Sequence, residues 1–171
     1  MKTEIRRCTL EDLHVLQVIG TETYSETYSH LNTPENMNEY LELAFNLDQL
    51  KAELSNENST FLFMYVNQVL AGYLKLNIND AQTYHVSDEA MEIERIYVKN
   101  VFQDKGLGKM LLQTAMKIAS EMNKEEIWLG VWQKNKNAID FHKNMEFEIR
   151  GEYSYFIGDE EQENYIMVKK L

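Results

Sequence analysis

Between residues 91 and 145 the chain switches twice from strand-type to helix-type patterning, and nothing else in it constrains the fold as much. Residues 91–98 alternate side chains between two faces, with Ile93, Arg95 and Tyr97 set against Glu92, Glu94, Ile96 and Val98, the period of a β-strand. After a glycine-bearing turn, Leu107, Leu111, Ala115, Ile118 and Met122 recur at helical spacing and form one apolar stripe. Residues 127–132 are an apolar run of strand length, and a second helix is expected over 137–145. Two strand–helix units in series call for a sheet on which both helices can bury a face, so the class is α/β.

The flanking segments complete the order. Thr9 followed by Asp12 matches a helix-capping arrangement, with Leu10, Leu13 and Leu16 as the expected apolar stripe. Thr33-Pro34-Glu35 opens another helix, with proline at its first position and acid in its first turn. Leu47, Leu50 and Leu54 predict a further short helix, and 60–66 with 69–78 predict two strands joined around Asn67-Gln68. Strands over 148–157 and 165–170 are expected to flank an acidic loop from Gly158 to Glu163. No repeat or linker divides the 171 residues, which predicts one domain over 1–171 built on a mixed sheet.

Charge and composition exclude several roles. A net charge of −11 argues against nucleic acid as a partner. The one cysteine, Cys8, allows no internal disulfide and suits a reducing cytosol. The charged N-terminal residues lack the apolar stretch of a signal peptide, and the longest apolar run, 61–66, is too short to cross a bilayer. A cytoplasmic protein without membrane contact is expected. His14, His30 and His85 have no Cys or His partner at ligand spacing, so no metal is expected. No Gly-x-Ser-x-Gly is present for a serine hydrolase. Tyr24, Tyr28 and Tyr40 are expected in or beside the core, some of them lining a cleft.

The chemistry concentrates in Gln103-Asp104-Lys105-Gly106-Leu107-Gly108-Lys109, between strand and amphipathic helix. A glycine-rich turn at a helix N-terminus exposes amides and the positive end of the helix dipole, which together hold phosphate. It also lies in the only basic-rich segment, where residues 95–143 carry nine Lys and Arg against five Asp and Glu. A P-loop is excluded because Met110 follows Lys109, and a dinucleotide fingerprint because Leu111 stands where its third glycine belongs.

Residues 103–108 resemble the pyrophosphate-binding motif of the GNAT acetyltransferase superfamily. The run from Val131 to Phe141, with Asn135 and Ala138, is similar to that family's Val-x-x-x-Asn-x-x-Ala-x-x-Phe pattern. Residues 33–37, 93–98, 128–132 and 158–162 resemble most closely the bacterial PaiA-like spermidine/spermine N-acetyltransferases. The resemblance covers the whole chain. It implies a single-domain, mostly antiparallel mixed sheet flanked by helices and splayed between the strands ending at Val98 and Val131. It also implies acetyl-CoA as cosubstrate, with pantetheine in the gap against the backbone of Ile96, Tyr97 and Val98. Amides from Gln103 to Lys109 would take the pyrophosphate, with Asn135, Ala138 and His142 on the other side.

The implied reaction is direct acetyl transfer in a ternary complex to a polycationic amine, with a homodimer possible. An aminoglycoside, an amino acid or a protein amine is the alternative acceptor, and a CoA- or polyamine-binding sensor the alternative function. An alkyl amine of pKa near 10.4 must lose a proton before it attacks, and Glu92 or Glu94 is the implied relay, directly or through water. His142 stands where the family has the tyrosine credited with protonating the CoA thiolate, and Glu146 replaces a turn glycine. Either His142 donates, as an imidazolium whose contribution fades as pH rises or through the one N–H of its neutral form, or it merely caps or packs and Tyr97, Tyr153 or Tyr155 supplies that proton.

Overall fold

The computed structural model describes residues 1–171. Its centre is one seven-stranded sheet in the order β1-β2-β3-β4-β5-β7-β6. The strands are β1 (Thr3–Arg7), β2 (Ser59–Val66), β3 (Val69–Asn77), β4 (Ala90–Val98), β5 (Glu126–Trp132), β6 (Glu148–Ile157) and β7 (Glu160–Lys170). Only β4 and β5 are parallel, as expected when an α-helix supplies the crossover between them. The helices are α1 (Leu13–Tyr28), α2 (Pro34–Phe45), α3 (Leu47–Ser55), α4 (Leu107–Glu121) and α5 (Lys136–Asn144). No helix is long and apolar enough to cross a membrane.

Period-two alternation divides the interior into two cores. On β2, Leu62, Met64 and Val66 point to one face, where Leu107, Leu111, Leu112 and Ala115 of α4 cover them. Phe61 and Phe63 point to the other and meet Leu16 and Ile19 of α1, Phe45 of α2 and Leu50 of α3. The helix starts follow their capping chemistry. Thr9 and Asp12 form a reciprocal capping box, Thr33 Oγ1 accepts from the Asn36 amide at 3.2 Å, and Asn46 Oδ1 accepts from the Gln49 amide at 2.8 Å.

Four expectations are corrected. Leu10 is half exposed rather than part of an apolar stripe, because the capped turn is a short 3-10 segment and α1 begins only at Leu13. Strand β1, within the charged N-terminus, was not foreseen; it is a sheet edge, where alternating charged residues are tolerated. The acidic loop is only a two-residue turn, since β7 starts at Glu160 and Ile157 pairs with Glu160. Gly158 supplies the positive φ (63°) that this turn needs. The polar alternation of 160–164 hid the strand, because its buried positions are Gln162 and Asn164.

The fourth correction bears on the site. Lys75 pairs with Arg95 and Leu76 with Ile93, so Glu94 is an extra residue on β4, a β-bulge. The bulge shifts the alternation expected for 91–98 by one residue beyond Glu94. Ile93 joins Ile96 and Val98 on the α4 side, while Glu92, Glu94, Arg95 and Tyr97 all turn to the α1 side. It also marks where the sheet opens, for β4 and β5 pair only from Ala90–Glu126 to Ile93–Leu129. The implied splay between Val98 and Val131 is present.

Candidate active site

Three neighbouring cavities with shared lining residues lie along the splay. The first, about 470 Å³, is a cleft between the end of β4, the start of α4 and α5. Of the residues implied for acetyl-CoA, Ile96, Val98, Gln103, Asp104, Gly106, Leu107, Gly108, Lys109, Ala138 and His142 line it. Phe102, Asn137 and Phe141, not among the residues implied for the cofactor, complete it. Gly106 sits at φ 78° as the residue that caps α4, a left-handed conformation available to glycine without strain. Met110 is the first residue of α4 whose amide returns to the chain, to the Gly106 carbonyl at 3.2 Å, so the preceding amides are free for an anion. A Cβ on Gly108 would meet only Phe141 Cζ, at 3.7 Å. Glycine there is not required by the packing of the chain, and what it leaves open is cleft. This is the fit a phosphate-bearing ligand requires.

Three implied cofactor residues lie elsewhere. Lys105 is exposed and lines none of the three cavities. Tyr97 lines the second and third. Asn135 uses its Oδ1 to cap α5, accepting from the Ala138 amide at 3.2 Å, and faces the second cavity rather than the cleft. Gln103 is in the cleft, but its Nε2 donates to the Val98 carbonyl at 3.1 Å and ties the loop to the strand end.

The second cavity is a throat of about 90 Å³ in the gap between β4 and β5. It shares Ile96, Ala138 and His142 with the cleft. His142 therefore stands at the boundary, buried between Phe141 and Phe147, whose ring centroids are 5.2 and 5.8 Å away. Its Nδ1 has no hydrogen-bond partner. Burial lowers its pKa to about 4, which corrects the imidazolium expectation. At neutral pH the ring is a neutral imidazole with a single N–H to give.

The third cavity, about 210 Å³, lies on the α1 side and shares Tyr28, Glu94, Tyr97 and Gly130 with the throat. Its walls are aromatic. Tyr24, Tyr28 and Tyr40 come from α1 and α2, with Tyr24 stacked on Tyr40 at 4.4 Å and 4.5 Å from Tyr28. Tyr153 and Tyr155 come from β6. Their spacing in the chain puts residues 153 and 155 on one strand face, but their arrival here depends on β6 and β7 joining the sheet beside β5. Tyr153 lies against Gly130, where a Cβ would be 2.1 Å from its hydroxyl. That hydroxyl accepts from Asn164 Nδ2 at 3.0 Å, and the ring stacks on Tyr84 at 5.6 Å.

Both implied carboxylates line this third cavity, in different electrostatic settings. Lys75 Nζ bridges Glu94, at 2.8 Å, and Glu53, while Arg95 Nε lies 3.4 Å from Glu94. Burial works to raise the Glu94 pKa, but Arg95, Lys75 and hydrogen bonds from Lys75 and Asn77 outweigh it and hold the group below its ordinary value. Glu92 has only neutral donors: Asn77 Nδ2 at 2.9 Å, the Thr83 amide at 2.8 Å and the Thr83 hydroxyl. Burial and the charge of Glu94 raise its pKa despite those bonds. A carboxyl pair divided in this way has one permanent anion and one group suited to take up a proton.

The comparisons agree with this geometry. The acetyltransferase (GNAT) family profile matches residues 21–147. An uncharacterized N-acetyltransferase from the pepI 3′ region of Lactobacillus delbrueckii subsp. lactis is 38% identical, over 94% of this chain and 93% of that protein. The spermidine N(1)-acetyltransferase of Thermoplasma acidophilum is 26% identical over 99% of this chain and 98% of its own. The crystal structure of PaiA N-acetyltransferase from the same organism, in complex with coenzyme A, superposes with a TM-score of 0.81 at 25% identity, covering 100% of both chains.

Proposed function

This chain belongs to the GNAT acetyltransferase family, whose acyl donor is acetyl-CoA, and on that premise we propose that it acetylates a small polycationic amine of the spermidine class by direct transfer in a ternary complex. One observation carries the reading: the throat shares walls with the cofactor cleft on one side and, on the other, with a tyrosine-lined cavity holding two carboxylates. Tyrosine faces and carboxylates favour ammonium groups, and the acidic surface of a chain carrying −11 charges would steer a polycation inward. The Thermoplasma relative named for spermidine supports the same acceptor.

Each residue then has a task. The free amides at the start of α4, opened by Gly106 and Gly108, hold the pyrophosphate, and the backbone of Ile96 to Val98 faces the pantetheine arm. When bound, acetyl-CoA supplies the activated acetyl group. Glu92 takes the proton of the incoming ammonium, because its raised pKa lies nearer the working range than that of Glu94. Glu94, fixed as an anion by Lys75 and Arg95, serves as counter-charge for the amine. As the N–C bond forms and the C–S bond breaks, His142, at the boundary of cleft and throat, offers its single N–H as a hydrogen bond to the leaving thiolate and keeps that proton. The thiol is completed by a proton from the acetylated amine or from solvent. A thiolate of pKa near 8.5 needs only modest acid help.

The test is incubation with acetyl-CoA and a panel of spermidine, spermine, an aminoglycoside, an amino acid and a neutral amine, following free thiol and acetyl mass gain. Turnover greatest with spermidine or spermine supports the reading. Tight acetyl-CoA binding without transfer to any amine would make the chain a sensor instead.

A further inference from the structure

Behind the two carboxylates lies a pair of neutral side chains with no place in the mechanism above. Asn77, at the end of β3, is fully buried, and its Nδ2 donates to Glu92 Oε1 at 2.9 Å and to Glu94 Oε1 at 2.8 Å. Both protons of one amide are thus spent on two anions. Its Oδ1 accepts from the Ser59 hydroxyl at 2.9 Å, across the directly paired positions Ser59 and Asn77 of β2 and β3. Ser59 is itself 6% exposed. A primary amide can be turned by half a revolution with little change of shape, which here would aim its oxygen at both carboxylates. Ser59 opposes that turn, since its donor has an acceptor only in the present orientation.

We propose that Ser59 and Asn77 are positioning residues for acetyl transfer, Ser59 orienting the Asn77 amide so that Glu92 is ionised and able to act as the base. This rests on the reading of Glu92 as base and names two residues that make it one. The charged and titratable groups around Glu92 are Glu94 and Arg95 on β4, Lys75 on β3, Glu53 on α3 and Tyr153 on β6. The two cations among them are committed to Glu94. The ionised form of Glu92 therefore depends on neutral donors, and each of them counts.

The sign follows directly. A donor to the carboxylate favours its ionised form. Misaligning the Asn77 amide raises the Glu92 pKa, so the base stays protonated to higher pH.

The experiment is the pH dependence of kcat/KM for spermidine with acetyl-CoA saturating, for wild type, Ser59→Ala, Ser59→Thr, Asn77→Ala and Glu92→Gln. Ser59→Ala is expected to move the acid limb up by about 0.5 to 1 pH unit, with KM for acetyl-CoA unchanged. Ser59→Thr, which keeps the hydroxyl, returns the limb to its wild-type position, and Asn77→Ala moves it at least as far as Ser59→Ala. An acid limb left in place by both Ser59→Ala and Asn77→Ala, with only the plateau or the melting temperature lowered, overturns the proposal. So does a limb displaced equally by Ser59→Ala and Ser59→Thr. An unchanged limb in Glu92→Gln instead removes Glu92 as the base, a separate failure read from a separate variant.

Discussion

Replacing Gly130 by alanine tests the wall between throat and acceptor cavity with a single methyl group. The added Cβ would lie 2.1 Å from the Tyr153 hydroxyl oxygen, 2.9 Å from Cζ and 3.0 Å from Cε1, whereas ordinary contact begins at 3.4 Å. The hydroxyl must therefore retreat by 3.4 − 2.1 = 1.3 Å, and β5 cannot yield because it is paired along its length with β7. Retreat breaks the 3.0 Å bond from Asn164 Nδ2 and disturbs the stacking on Tyr84. A lost hydrogen bond of this kind costs about 1 kcal/mol and an aromatic pair about 0.5 to 1.5 kcal/mol. The reduced freedom of alanine in the unfolded chain offsets about 0.4 to 1 kcal/mol. The net loss is about 1 kcal/mol, a fall in Tm of about 2 to 4 °C for a chain of this size. The kinetic consequence is larger because Tyr153 lines the acceptor cavity. We expect kcat/KM for spermidine to fall about tenfold or more, equivalent to about 1.4 kcal/mol of lost transition-state stabilisation, with KM for acetyl-CoA unchanged. Steady-state kinetics with each substrate varied in turn, alongside thermal unfolding, measure both quantities. Wild-type kcat/KM for spermidine in a folded Gly130→Ala protein would refute the reasoning.

Further predictions follow from the same geometry. Gly108→Val should fold, since a Cβ there meets only Phe141 at 3.7 Å, yet lose at least tenfold in acetyl-CoA affinity by calorimetry; unaltered affinity would remove the cleft assignment. Glu92→Gln should lower kcat about 100-fold or more. Glu94→Gln should shift the acid limb of kcat/KM downward, because the Glu94 charge adds to burial in raising the Glu92 pKa. Burial lowers the His142 pKa from 6.5 to about 4 in the folded chain. Its contribution to stability is thus present above pH 6.5 and lost as pH falls toward 4, and His142→Phe should flatten that part of the stability profile in denaturant titrations. Because the ring is already neutral, wild-type kcat should show no limb near pH 6.5 from this residue, while His142→Phe lowers kcat and His142→Tyr keeps it.

Much of the fold was legible because its signals are local. Capping at Thr9 and Thr33, the α4 stripe and the glycine turn at 106–108 each need only neighbours in the chain. The cleft was legible for the same reason, as the loop amides and the first turn of α4 are contiguous. The acceptor cavity was not, because its walls come from α1, α2, β4, β5, β6 and β7 and meet only in the folded sheet. Glu92 and Glu94 share a face as expected, but the faces of Arg95, Ile96, Tyr97 and Val98 relative to them were misjudged for one reason. Strict alternation has no room for the extra residue at Glu94, and nothing local to 91–98 announces the bulge. Strand β7 was read short because burial of Gln162 and Asn164 is decided by partners across the sheet rather than by their own polarity. Two segments far apart in the chain, the helix start at 33–37 and the turn at 158–162, prove to touch. Asn36 Nδ2 donates to Asp159 at 3.0 Å, and Asn36 packs where a Cβ of Gly158 would be, which ties the β6–β7 turn to the start of α2 beside the acceptor cavity.

The central claim is that the acetyl group crosses the sheet at the β4–β5 splay to reach an amine held by Glu92, Glu94 and the tyrosines. A crystal structure with a bisubstrate ligand, CoA joined at its sulfur through an acetyl bridge to spermidine, tests it most directly. The account predicts the pyrophosphate on the amides at the start of α4, the sulfur in the throat beside His142, and the polyamine chain among Tyr24, Tyr28, Tyr40 and Tyr153 with its bridged nitrogen on the Glu92 side. A spermidine arm lying outside that cavity, with the throat between Ile96 and Gly130 closed, would contradict it.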